Sequence, residues 1–156
     1  VTAFLFRHYE PLIQQASIFA IFITLITGTA GNTGTQSLAV AIRKIGLHEE
    51  EQSFWKVLVQ EGTTGLGIGL ISGAVVFGIV SLWQGNIVLG GIIGFAMFAS
   101  IFVAALTGTC IPFALEKFDF DPSIASGPFI TTVNDLTTVL VYFTIVSQFI
   151  SVYLVK

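Results

Sequence analysis

The sequence predicts an all-α membrane protein: a bundle of four full transmembrane helices and the remnant of a preceding one, kinked by glycine and proline. Three observations predict it. The chain is 54% hydrophobic and only 10% charged, far from the roughly 25% charged residues of an ordinary soluble domain. Its mean hydropathy is +0.90. Charged side chains are absent from residues 11–42 and 62–115, and only Asp135 interrupts 122–155.

Each uncharged interval holds at least one helix of about 20 residues, the length that crosses a hydrocarbon core. Residues 1–10 open on VTAFLF, apolar but too short to span, and read as the end of a truncated helix and an outer loop. The first full span is placed at about 14–44. The long middle interval divides at Trp83-Gln84-Gly85-Asn86 into spans at 54–83 and 87–115. The last span is placed at 122–155, because Asp121 followed by Pro122 reads as a helix cap and a proline at the first helical position. All of 1–156 then forms one ion-conducting transmembrane domain.

Arg43, Lys44, Lys56 and Lys117 fall in the loops after the first and third spans, while Arg7 and Lys156 fall on the opposite side. By the positive-inside rule the first group is cytoplasmic, in a multi-pass protein of the cell membrane. Lone Cys110 precludes an internal disulfide. A nucleic-acid partner is not expected, since no basic stripe with interleaved aromatics exists. Nor is an enzyme, since no histidine base accompanies the scattered serines and threonines. His8 and His48 match no metal-ligand spacing, and Glu49-Glu50-Glu51 reads as a solvated charge run.

Small residues let helices approach closely in lipid, where hydrophobic drive between them is weak. Gly65, Gly69 and Gly73 lie along one helix face, and Gly90 and Gly94 repeat the spacing on the next helix. The first span differs. Its segment TGTAGNTGTQS, residues 27–37, carries Gly28, Gly31 and Gly34 among seven polar side chains. Polar groups at membrane depth are buried in protein or face a watery cavity, so this segment is expected to point inward.

Asp135, in ITTVNDLTT, is the one charge of the last span. Counted from Pro122 it lies roughly 20 Å along a helix axis. Helical spacing gathers Gly127, Thr131, Asp135 and Thr138 on one stripe, with Pro128 expected to kink the helix beside it. An ionisable group at the bilayer centre costs about 2.5–3.5 kcal/mol on insertion scales and generally serves a cavity. The plainer alternative is a protonated aspartate bonded to a neighbouring helix. No lysine or arginine lies deep in a span to pair with it, so a cation from solution is the natural partner. Carboxylate, hydroxyls and carbonyls suit a hard cation such as Mg²⁺ or Ca²⁺. Two-fold assembly would bring two such carboxylates together.

TGTAGNTGTQS and DPSIASGPFITTVNDLTTVLVYF, the latter at residues 121–143, together with the intervening LTGTCIPFALEKFDFDP, resemble the signature segments of the transmembrane domain of MgtE-family magnesium channels. The resemblance implies a homodimer in the lipid bilayer, with Mg²⁺ as the transported ion. It also implies five helices per subunit, the first mostly missing, and N-terminal cytoplasmic regulatory domains absent from this chain. By position, Asp135 matches the aspartate that holds the largely hydrated ion across the dimer, and Thr131 the residue one turn earlier that offers its main-chain carbonyl. Asn32 and the surrounding glycines Gly28 and Gly31 match the pore-adjacent part of the family's second helix. Two departures, Thr24 for a common proline and Ala30-Gly31 for a glycine pair, fall on the expected break in the first span and not on the aspartate.

Glu61 either lines an inner vestibule or snorkels to the interface. Asp121 is first a cap, with an ion-attracting role at the cytoplasmic mouth as the alternative. The functional expectation is a divalent cation channel with Asp135 in its pore. The alternative is a proton-coupled secondary transporter that uses the same aspartate.

Overall fold

The computed structural model describes residues 17–47, 53–125 and 127–154. The remnant at 1–10, the first residues of the first span, His8, His48, the glutamate run, Arg7 and Lys156 lie outside the described residues. The described elements are helix α1 (Ser17–Gly46), α2 (Phe54–Gln84), α3 (Ile87–Lys117), a 3-10 turn (Pro122–Ala125) and α4 (Pro128–Leu154). Among the described residues three helical stretches are long and apolar enough to cross a membrane: Phe54–Gln84, Ile87–Lys117 and Pro128–Phe149. Helix α1 has the length and a mostly apolar first third, but its middle stretch, Thr27–Ser37, is polar.

The α2–α3 link is set by turn chemistry. Gly85 ends α2 in the left-handed region, at φ 63°, which glycine adopts without a Cβ penalty. Asn86 then caps α3, its side-chain oxygen accepting the Leu89 N–H at 3.0 Å. Asn86→Ala is expected to cost about 1 kcal/mol, the usual worth of such a cap, and to lower the midpoint of thermal unfolding in detergent.

Helix α3 is the hub. It is apolar all round, and such a helix belongs at the centre of a bundle. It packs against α1, α2, α4 and the 3-10 turn, whereas α1 and α2 scarcely touch. The α2–α3 contact is the glycine seam expected from spacing. A Cβ on Gly65 would meet the Ala105 Cβ at 2.6 Å, and one on Gly69 would meet the Phe98 carbonyl at 3.0 Å. Gly73 and Gly94 face each other's carbonyls at 2.7 Å by the same construction. The main core joins Phe22, Ile26 and Ala30 of α1 to Ile93, Met97 and Ile101 of α3 and to Tyr142 and Phe143 of α4. A smaller cluster closes the end that carries Arg43, Lys44 and Lys117: Leu38, Ala125 and Ile130, with Ile42, Ile111 and Leu115 against them.

Two expectations are corrected. The first span is not broken: α1 runs as one α-helix through Thr27–Ser37. Thr24 keeps the backbone N–H that a proline would remove. The last span is not one helix from Pro122. After the 3-10 turn the chain breaks at Gly127, φ 66°, and α4 starts at Pro128. In a continuous helix the Pro128 ring would strike the Ile124 carbonyl; at the first helical position it costs nothing. Pro128 therefore starts the helix instead of kinking it. Gly127 leaves the helical stripe for the turn before it.

Candidate functional site

Helix α4 rises from its break so that Asp135 lies seven residues in, about 10 Å along the axis. This is half the depth expected from a start at Pro122. On α1 the neighbour is Gly31, where a Cβ would come 3.7 Å from the Asp135 carboxylate. Gly31 is mid-helix, twelve residues before Arg43, or about 18 Å. Asp135 is thus seated beside bare backbone at the middle of α1. The carboxylate is half-buried. None of the other described residues gives it a hydrogen-bond or ion-pair partner.

Around that pair the two helices turn polar groups outward. Gly28, Asn32 and Thr35 of α1 are exposed, as are Thr131 and Thr132 of α4. The threonine hydroxyls donate to backbone carbonyls four residues earlier: Thr35 to Gly31 at 2.8 Å, Thr29 to Leu25 at 2.8 Å and Thr131 to Gly127, in the turn, at 3.1 Å. A hydroxyl with its proton committed in this way presents only acceptor lone pairs outward, which suits a cation or the hydrogens of its bound water. The Thr131 carbonyl is the helical acceptor for the Asp135 N–H, with a second lone pair remaining. An exposed polar strip of this kind is not tolerated by lipid. It requires water or protein against it.

The other site residues predicted from sequence fall elsewhere. Thr138 is buried inside the chain and its hydroxyl has no partner among the described residues, so it does not share the exposed face of Thr131. Gly127 stands in the turn, and its carbonyl accepts from the Thr131 N–H at 3.3 Å. Glu61 is only 6% exposed, on the α2 face that carries Val57 and Gly65. Buried there, it does not reach out to the interface as a snorkelling side chain would. Asp121 is exposed on the 3-10 turn and accepts from the Ser123 N–H at 2.9 Å and from the Ser123 hydroxyl. It caps that turn, not α4. These two bonds, the hydroxyl first, hold its carboxyl below the usual carboxylate range. Among the described residues no three His, Cys, Asp or Glu side chains converge.

Asn134 was not singled out by its sequence. It is wholly buried, and its carboxamide oxygen lies 3.3 Å from the Thr107 hydroxyl of α3. On α1 it fills the place where Gly34 lacks a side chain: the three atoms nearest a Cβ there all belong to Asn134. Gly108 of α3 in turn gives way to the Gly34 carbonyl. The readable signal was a second polar residue beside the aspartate in a span of lipid length.

The family model described as "MgtE: Divalent cation transporter" matches residues 23–145, which covers α4 through Asp135 and all of α1 from Ile23. The chain is 52% identical over 149 residues to the magnesium transporter MgtE of Enterococcus faecalis, covering 95% of this chain and 33% of that protein. It is 37% identical over 153 residues to that of Bacillus subtilis, covering 96% of this chain and 34% of that protein. It is 30% identical over 146 residues to that of Thermus thermophilus, covering 93% of this chain and 32% of that protein. The chain spans about a third of the length of these curated relatives. Its helices fit a multi-pass protein of the cell membrane.

Proposed function

Because the chain belongs to the MgtE family of divalent cation transporters, we propose that two copies of it form a passive path for Mg²⁺, with the polar strips of α1 and α4 facing each other across the two-fold axis. The observation that carries this reading is Asp135, unpartnered among the described residues and seated on the bare backbone at Gly31, beside an exposed line of Gly28, Asn32 and Thr131. Two such carboxylates match the charge of one divalent ion. Mg²⁺ holds its waters tightly at about 2.0–2.1 Å, so the carboxylates and the outward oxygens of Thr35 and Thr131 would meet the hydrogens of that shell. Flow is then downhill, set by voltage and concentration.

The test is Mg²⁺ uptake by proteoliposomes holding an entrapped indicator, with the pH equal on both sides. A passive path fills the vesicles at a rate set by the Mg²⁺ gradient and moves no protons. Uptake that requires a pH gradient, with protons moving against Mg²⁺, would replace this reading by coupled transport through the same aspartate.

A further inference from the structure

We propose that Asn134 is the positioning residue of this site: its carboxamide, keyed into the gap at Gly34, fixes the rotation and depth at which α4 presents Asp135. The proposal rests on reading Asp135 as the ion-binding carboxylate.

Asn134 is wholly buried, at 0% exposure. Burying a carboxamide away from water is costly unless its groups are hydrogen-bonded. Here the bonding is incomplete. The Thr107 hydroxyl has one proton and two acceptors in reach, the Ala104 carbonyl at 3.1 Å and the Asn134 oxygen at 3.3 Å. The Asn134 amide nitrogen has no partner among the described residues. A leucine could fill the same volume without an orphaned donor, so packing alone does not call for asparagine.

What the side chain does supply is a three-way join. From α4 it meets the backbone of α1 by shape at Gly34 and bonds to α3 at Thr107. Successive residues of a helix point about 100° apart. With Asn134 locked inward, Asp135 is held at the edge of the α1–α4 contact, and α4 cannot turn without carrying the carboxylate away from Gly31. Depth is fixed as well. Gly31 faces Asp135 and Gly34 faces Asn134, the reversed order that antiparallel helices require. Sliding α4 along α1 by one residue would drive the carboxamide out of the gap.

The test uses the whole chain in proteoliposomes and reads two quantities beside total flux: the half-saturating Mg²⁺ concentration and the preference for Mg²⁺ over Ca²⁺. Asn134→Ala is expected to raise the half-saturating concentration about tenfold and to lower the preference, within the range of coupling between contacting residues. Its unfolding midpoint should shift by only a few degrees. Gly34→Ala, which leaves Asn134 no room, should reduce flux about tenfold or more, and combining the two changes should recover the level of Asn134→Ala alone. Should Gly34→Ala fail to fold, Thr107→Val carries the test by removing the hydroxyl that joins Asn134 to α3 while leaving the seat at Gly34, with about a threefold rise in half-saturation expected.

Asn134→Ala and Thr107→Val both saturating at the parent's Mg²⁺ concentration with the parent's preference would overturn the positioning role. If Asp135→Asn still shifts saturation in that case, only this inference is lost. If Asp135→Asn also behaves like the parent, the site reading goes with it.

Discussion

Asp135→Ala is expected to abolish saturable Mg²⁺ uptake while the protein still inserts and folds. Two unit charges about 4 Å apart attract by about 4 kcal/mol at an effective dielectric near 20. A doubly charged ion held through one layer of water retains an attraction of that order. At 1.4 kcal/mol per decade, losing the carboxylate from both copies of the proposed dimer weakens occupancy by at least about 100-fold. Folding is spared because the carboxylate bonds to no other described residue and only half enters the packing. Asp135→Asn keeps the shape and the oxygen but loses the charge, and should fall between parent and alanine. Indicator-loaded proteoliposomes and thermal unfolding of the same preparations check both halves. Parent-like uptake by both variants would remove Asp135 from the ion path.

Gly108→Ala should have the largest effect on stability. An added methyl there would run into the Gly34 carbonyl, which is backbone and cannot swing aside. Helices α1 and α3 would have to part, taking the Asn134 contact with them. Overpacking of this kind costs about 1–3 kcal/mol, or a drop of several degrees in unfolding midpoint for a chain of this size, at roughly 2–4 °C per kcal/mol. Gly67→Ala and Gly91→Ala are the controls: a Cβ at either position meets nothing within 4 Å. Both should leave the midpoint unchanged or raise it, since alanine favours helix over glycine. If all three behave alike, the α1–α3 crossing is looser than the geometry indicates.

How far the sequence could be read depended on whether the signal was local. The limits of α2 and α3 were legible because Gly85 and Asn86 are turn and cap residues whose chemistry acts within three residues. The start of α4 was not, because Asp121-Pro122 and Gly127-Pro128 offer the chain two similar openings. The second prevails: Gly127 can take a positive φ, and Ala125 packs against Leu38 and Ile130. That choice depends on contacts between elements distant in sequence. It moved Asp135 from an expected roughly 20 Å along the helix to about 10 Å. The unbroken α1 is a similar case. Its glycines suggested a gap in the helix, but Thr29, Thr33 and Thr35 return their hydroxyls to the backbone one turn earlier. Asp135 was legible because a charge in a span is conspicuous. Asn134 was not, since its importance lies in glycines on two other helices.

The polarity of α1 has a consequence for how the protein is made. Its Thr27–Ser37 stretch, with Asn32, Gln36 and four threonines, gains little by entering lipid alone. It is synthesised before α3, the helix that covers its inner face. The α2–α3 pair, apolar and sealed along its glycine seam, can insert as a hairpin by itself. During biogenesis that stretch is therefore expected to settle into the bilayer only once α3 has emerged, about seventy residues after α1 ends, so that its place there is set by assembly more than by partitioning.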